Sequence, residues 1–531
     1  MENSTYSKLN EKWKATGSII LGGEVPALDE VKDWLLYQKQ KMGHGKSEIS
    51  GEGVVFPSDD YADGCRSINF NEMGKLKMAK ANINDVKDID SLIRSTKENF
   101  VYCANVVLGN SANVNDSTDV SDSHFILNSA RVNKSSYVAF CTIVKECEYL
   151  FGCNVASYDK YCLRCHQFTY NTRCMEATLT TESSDCYYTQ NCMGCQDCFF
   201  SFNQRNGRQM VGNLQLDKEK YGKIKSALLE QMRGELKSKK KLPSLTQIME
   251  KCEPKEAVRA LGKVSDYQVK KDGGEEGKAV IEKMLEDTSK VVLGKGLKGL
   301  DGYGKWLGKH TLEIVEVESA LGSGKLYCPT YENYKEMPKK AMVNVSEAFK
   351  VANALRISEG EAGEMKFENA PKIISKIMLT TPEFIGGKVA NSIKCPISLN
   401  TTNVYRVHGA VLCKNCAFST WPNGSEAVFG CAFAMDSSYC INCYNSFNLK
   451  RCFECDSSRD CSDCYFSHNI ENCQECLFCF NVKAKRYAIG NVEVGKEEYL
   501  KVKKMVLEEI GSRLEKEKKL DLDIYNLSAK R

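Results

Sequence analysis

Gly194-Cys195-Gln196-Asp197-Cys198-Phe199-Phe200-Ser201-Phe202-Asn203 returns 278 positions later as Asn472-Cys473-Gln474-Glu475-Cys476-Leu477-Phe478-Cys479-Phe480-Asn481. With that offset held and no gap, residues 151–232 laid on 429–510 agree at 31 of 82 positions. A sequence written twice predicts two like domains, and the search for repeats comes before any other motif. Upstream the likeness is fainter: Val55-Phe56-Pro57 resembles Tyr327-Cys328-Pro329, and Leu76-Lys77-Met78-Ala79 resembles Phe349-Lys350-Val351-Ala352. Each copy is therefore expected to carry its own lead-in. Four regions follow: an N-terminal helical segment (1–50), copy one (51–240), a helical connector rich in Gly and Lys (241–320), and copy two (321–531).

A shorter period runs inside each copy. Cys440, Cys443, Cys452 and Cys455 recur 21 residues later as Cys461, Cys464, Cys473 and Cys476, and Cys153, Cys174 and Cys195 step by the same 21. A fixed short period is the mark of a solenoid, in which no unit buries its inner face alone. Aromatic and hydroxyl-rich stretches such as Tyr187-Tyr188-Thr189 favour strands, and 21 residues is too short for a two-helix repeat. The predicted fold class is mainly β with capping helices: two tandem cysteine-rich β-solenoids of about 21 residues per coil, related by internal duplication. Since same-face residues in a strand are two apart, Cys-x-x-Cys should bracket a corner with both thiols turned inward. Asn448 and Asn469, with Asn191 at the matching place in copy one, suggest amide ladders. Apolar stripes predict capping helices over 218–240 and 496–517.

There are 27 cysteines, an odd number in a chain whose start lacks the apolar core of a signal peptide. A disulfide framework is a poor default there, and no apolar run long enough to span a membrane occurs. The expectation is a soluble, cytoplasmic protein. A net charge of +4 with 27% charged residues is too balanced for a chain that coats nucleic acid.

The closing segment of each copy resembles uncharacterised cysteine-rich repeat proteins of small-genome bacteria and environmental genomes. The residues that carry the likeness are Cys476-Leu477-Phe478-Cys479-Phe480-Asn481, Lys485-Arg486-Tyr487, Gly490-Asn491 and Lys496-Glu497-Glu498-Tyr499; copy one departs from them with Ser201 and Gln209. The resemblance implies the repeat fold and names no activity.

Three roles are open to the thiols. Free Cys packs as a small hydrophobe, and Ser, Ala and Val at equivalent positions favour that structural ladder. Stacked pairs could instead hold zinc or an iron–sulfur cluster, through Cys440/Cys443 with Cys461/Cys464 or Cys452/Cys455 with Cys473/Cys476. Disulfides formed on oxidation are the third. Met42-Gly43-His44-Gly45-Lys46-Ser47 lacks the first Gly and the preceding strand of a phosphate-binding loop; the six histidines show no paired spacing, and Lys237–Lys241 reads as a solvated run. No catalytic or cofactor-binding residue is expected. The function expected is a non-enzymatic structural or interaction protein, a scaffold or assembly subunit with itself or other proteins as partners. Metal binding is the alternative. An enzyme, if this were one, would act where the lead-ins fold over the coils.

Overall fold

The computed structural model describes residues 4–77, 86–178, 180–261 and 277–529. Met78-Ala79 of the upstream likeness and residues 262–276 of the predicted connector lie outside them. Sheet is the largest class of structure, and its strands, most of them four residues long, are nearly all parallel. Their register advances by 12: His124 pairs with Ser136, Ser136 with Glu148 and Glu148 with Lys160, as do Thr402, Lys414, Glu426 and Ser438 in succession.

The step expected from the cysteine period is thus corrected from 21 to 12, and the cause lies in the backbone. Tyr137, Phe140, Ile143, Glu146, Tyr149, Gly152 and Val155 all have φ between 53 and 72°, a left-handed turn at every third residue. Each turn sends the next side chain inward, so Val138, Cys141, Val144, Cys147, Leu150, Cys153 and Ala156 form one buried cluster. Four such turns make one step of the register. Any multiple of three returns to an inward position, and 21 is such a multiple; the cysteine period marks the interior without measuring the step. Cys440 and Cys443 do flank a corner, at Asn442 (φ 51°), with both thiols buried.

Four longer helices flank the strands: α1 (Ser4–Leu21), α2 (Lys218–Lys239), α3 (Lys278–Leu293) and α4 (Lys496–Glu517). Helices α2 and α4 occupy the predicted spans. The Asp217 side chain accepts the Lys220 N–H at the start of α2, an N-cap, and both helices end on a left-handed lysine, Lys240 or Lys518. Their apolar stripes bury Tyr221, Leu228 and Met232 in α2 and Tyr499, Val506 and Ile510 in α4.

The chain divides into two compact units, and their composition departs from the four contiguous regions expected. One holds residues 1–42, 105–272 and 316–382; the other holds 43–104, 273–315 and 383–531. The strands of copy one are joined by the lead-in of copy two, and the strands of copy two by the lead-in of copy one. The predicted connector is helical over Lys278–Leu293. Helix α3 within it packs along the strands of copy two, burying Ile281, Leu285 and Val292. The Tyr465 hydroxyl donates to the Val292 carbonyl at 3.0 Å, as the Tyr187 hydroxyl donates to the Ile20 carbonyl of α1 at 2.8 Å.

Candidate functional site

The eight cysteines singled out in copy two all point inward and are at most 2% exposed. The observed register distributes them differently from expectation. Cys440, Cys452, Cys464 and Cys476 fall in one column, since Ile441 pairs with Phe453 and Cys464 with Cys476. Cys443 and Cys455 stand in a second with Cys431, Ser467 and Cys479. Cys461 and Cys473 follow Leu449 in a third. The predicted quartets are therefore split among columns: Cys440 and Cys464 lie two steps apart.

The thiols are engaged with the backbone. Cys461 donates to the Arg459 carbonyl at 3.0 Å, Cys464 to that of Ser462 at 3.2 Å and Cys455 to that of Cys464 at 3.3 Å. Some also accept an N–H from the residue one register step on. In copy one, Ser123, Ser135, Cys147, Asp159, Asn171 and Ser183 accept from Ser135, Cys147, Asp159, Asn171, Ser183 and Cys195 in turn. Serine and cysteine fill such positions alike because each offers one donor and one acceptor. Burial pushes the Cys395 thiol up to about 11 and that of Cys162 to about 12; it also raises the Asp159 carboxyl well above its ordinary range. All 27 cysteines carry free thiols. Among the described residues no three His, Cys, Asp or Glu side chains gather where they could hold a metal ion. Asn448 and Asn469 do not stack on each other as their spacing suggested; side-chain bonds run at the 12-residue step instead, with Asn191 donating to Asn203 at 3.0 Å, Asn469 to Asn481 at 2.9 Å and Asn448 to Asp460.

Two buried polar clusters escaped the sequence, having no spacing to mark them. Both lie where a lead-in meets the strands. In the copy-two unit the Cys103 N–H donates to His468 Nε2 at 2.9 Å, so the ring proton sits on Nδ1 and faces Asp456 at 2.8 Å. Tyr61 of the lead-in also donates to Asp456, at 2.7 Å. Burial works to raise the Asp456 carboxyl, but the bonds from His468, Tyr61 and Asn445 keep it below its ordinary value. Glu454 accepts from the Ile524 N–H and from Asn442, both at 2.9 Å, and burial with nearby Asp523 moves it up to about 8. His310 lies between Asp60 (3.0 Å) and Asp523 (3.3 Å); burial works against its charge, but those two carboxylates raise it to about 9. The counterpart of Glu454 in copy one is Glu176, paired at 2.9 Å with Arg164, both nearly inaccessible. Arg164 donates to Gln38 at 3.1 Å, and Gln38 in turn to Glu336 of the copy-two lead-in at 3.0 Å. A cleft of about 1000 Å³ opens beside Arg164, Trp34 and Tyr37, but Glu176 already neutralises Arg164, and Lys239 and Lys240 pair with Glu235 and Glu30.

The lead-ins are seated alike. Asn203 donates to the Leu379 carbonyl at 2.6 Å and Asn481 to the Val101 carbonyl at 2.7 Å. Asn213 accepts the Phe202 N–H and Asn491 the Phe480 N–H, both at 2.7 Å. Gly490-Asn491, noted in the sequence, and Gly212-Asn213 at the matching place in copy one thus close the last turn of each set of strands. Gly212 (φ 58°) also takes the Ile357 N–H on its carbonyl at 3.2 Å, and a Cβ there would come within 2.6 Å of the Ile357 side chain. No family model matches the chain, and neither the curated proteins nor the solved structures compared with it give a match.

Proposed function

We propose that the chain is a duplicated β-solenoid whose coil is one step of the parallel register, and that it serves as a structural or interaction protein, a scaffold in which two solenoids are interlocked by exchanged lead-ins. The unbroken succession of parallel pairings supports the solenoid. Repeated contacts support the duplication: Lys225–Asp197 and Lys503–Glu475, at matching places in the two copies, are both 2.7 Å pairs. The exchange itself carries the reading. The chain passes from one unit to the other at 42/43, 104/105, 272/273, 315/316 and 382/383, so neither unit can be completed by one half of the sequence. The buried polar side chains are spent on that joint, with Tyr61, Asp456 and His468 holding one lead-in and Gln38, Arg164 and Glu336 the other. Free thiols throughout the interior suit a reducing compartment.

Cutting the full-length protein tests this. A protease site placed within residues 262–276 and cleaved after folding leaves two fragments that should co-elute under native conditions and part only in denaturant. Fragments that separate in native buffer would overturn the interlocked scaffold.

A further inference from the structure

We infer that the first coil of each solenoid is a docking edge for a second copy of this chain, met first coil to first coil. The inference rests on the scaffold reading and names its partner. The far end of each stack is closed: Arg208–Val211 and Arg486–Ile489 are each covered by an antiparallel strand, Leu214–Gln215 or Val492–Glu493, and by α2 or α4. The near end carries no covering strand among the described residues, although in copy two Gly277, just before α3, lies against the Asn391 side chain. Ala112–Asn115 pairs only with His124–Leu127, and Ala390–Ile393 only with Thr402–Tyr405. Gly109, Ala112 and Asn113 are exposed, as are Gly387, Ala390 and Asn391.

The backbone there is left with ladder groups to offer. One coil further in, the Ser123 carbonyl accepts the Ala112 N–H and the Asn128 N–H donates to the Asn115 carbonyl. The equivalent Ser111 carbonyl and Asp116 N–H have no such ladder partner among the described residues. The core is open as well, with Val114 only partly buried against the inward cluster while Met210 at the closed end is 7% exposed. Sheet edges are ordinarily guarded by charge or proline, and repeat arrays by polar terminal caps. Positions 105–116 contain one charged residue, Asp116, and no proline, and positions 383–394 contain Glu383, Lys388 and Lys394 and no proline.

The geometry selects the occupant. A coil of four sides ends on all of them together, so an extended peptide could pair with one side only. The end of another stack with the same coil pairs with all four, and this chain carries two such ends. Two first coils facing each other run antiparallel about a two-fold axis, a self-complementary contact, and a chain with two edges continues past the dimer.

Sedimentation velocity of the full-length protein over a hundredfold concentration range, together with hydrogen exchange at both extremes, tests this. The expected result is a mass that grows beyond two chains, with residues 107–115 and 384–393 gaining protection as it does. Ala112→Lys and Ala390→Lys, each on an exposed strand position, should limit assembly to a dimer or less and together leave a monomer, with far-ultraviolet circular dichroism unchanged. A wild-type protein that stays monomeric, or a folded double variant that assembles as the wild type does, would overturn the docking edges. Because the cleavage experiment reads contacts within one chain, the interlocked scaffold stands or falls separately.

Discussion

Serine and cysteine recur along two inward columns of copy one, where the side chain both donates to a carbonyl and accepts an amide, while Val138, Leu150 and Cys162 share a third column that is apolar. Cys141 does both, giving its proton to the Ala139 carbonyl at 3.2 Å and taking the Cys153 N–H at 3.2 Å; Ser129, one coil earlier, takes the Cys141 N–H at 3.0 Å. Volume alone would let valine stand in. Val407, at the place matching Ser129, shows that such a side chain is admitted, but where it replaces an acceptor the N–H one register step on loses its partner, and a buried N–H left unsatisfied costs about 1–3 kcal/mol. Cys141→Ser should therefore stay within about 1 kcal/mol of the wild type, whereas Cys141→Val should lose about 1–3 kcal/mol, both read from denaturant midpoints at constant slope. Equal effects of the two variants would mean that packing, not the ladder, sets the composition of the columns. The sequence already displayed this exchange of Ser for Cys, and that made a structural role the first reading. The carbonyl and amide partners were hidden because they lie far along the chain, Leu150 and Cys153 in the case of Cys141, at separations no local pattern reveals.

At the scale of elements, the joint between the tail, the connector and the copy-one lead-in is electrostatic. His310 holds Asp60 and Asp523 together, and Lys309 also pairs with Asp523. Folding raises His310 from about 6.5 to about 9, so its stabilisation is complete below pH 6.5 and fades as pH climbs through 9. Glu454, raised from 4.5 to about 8, acts in the same direction, its neutral form being favoured in the fold and its contribution lost between those values. Stability of the copy-two unit should fall by about 6 kcal/mol between pH 6 and 9.5 by linkage, about half of it from each group. His310→Gln should flatten that dependence while remaining folded, since Gln38 fills the corresponding place beside copy one, four residues after Trp34 as His310 is four after Trp306. Chemical unfolding followed across that pH range checks it, and an unchanged slope in the variant would assign the dependence elsewhere. Amphipathic stripes made α2 and α4 legible in the sequence almost to their last residues. The packing face of helix α3 is masked in the sequence by Lys and Gly neighbours around Ile281, Leu285 and Val292, and the cysteine period does not give the register step because inward positions recur at every third residue.

For the whole molecule, the sequence shows two like stretches and does not disclose which lead-in packs on which set of parallel strands. The reason is physical. An exchanged segment makes the same local contacts as an unexchanged one, so Asn203 and Asn481 would carry the same identity in either arrangement. Only long-range pairs distinguish the two. Lys220 at the start of α2 in copy one lies 3.0 Å from Glu359 in the lead-in of copy two, a contact that an unexchanged chain would not form. Zero-length carbodiimide cross-linking of the monomeric protein, read by tandem mass spectrometry, tests the interlocked architecture most directly. A Lys220–Glu359 cross-link within a single chain is the result it predicts. Cross-links that join each lead-in only to the solenoid of its own half would contradict it.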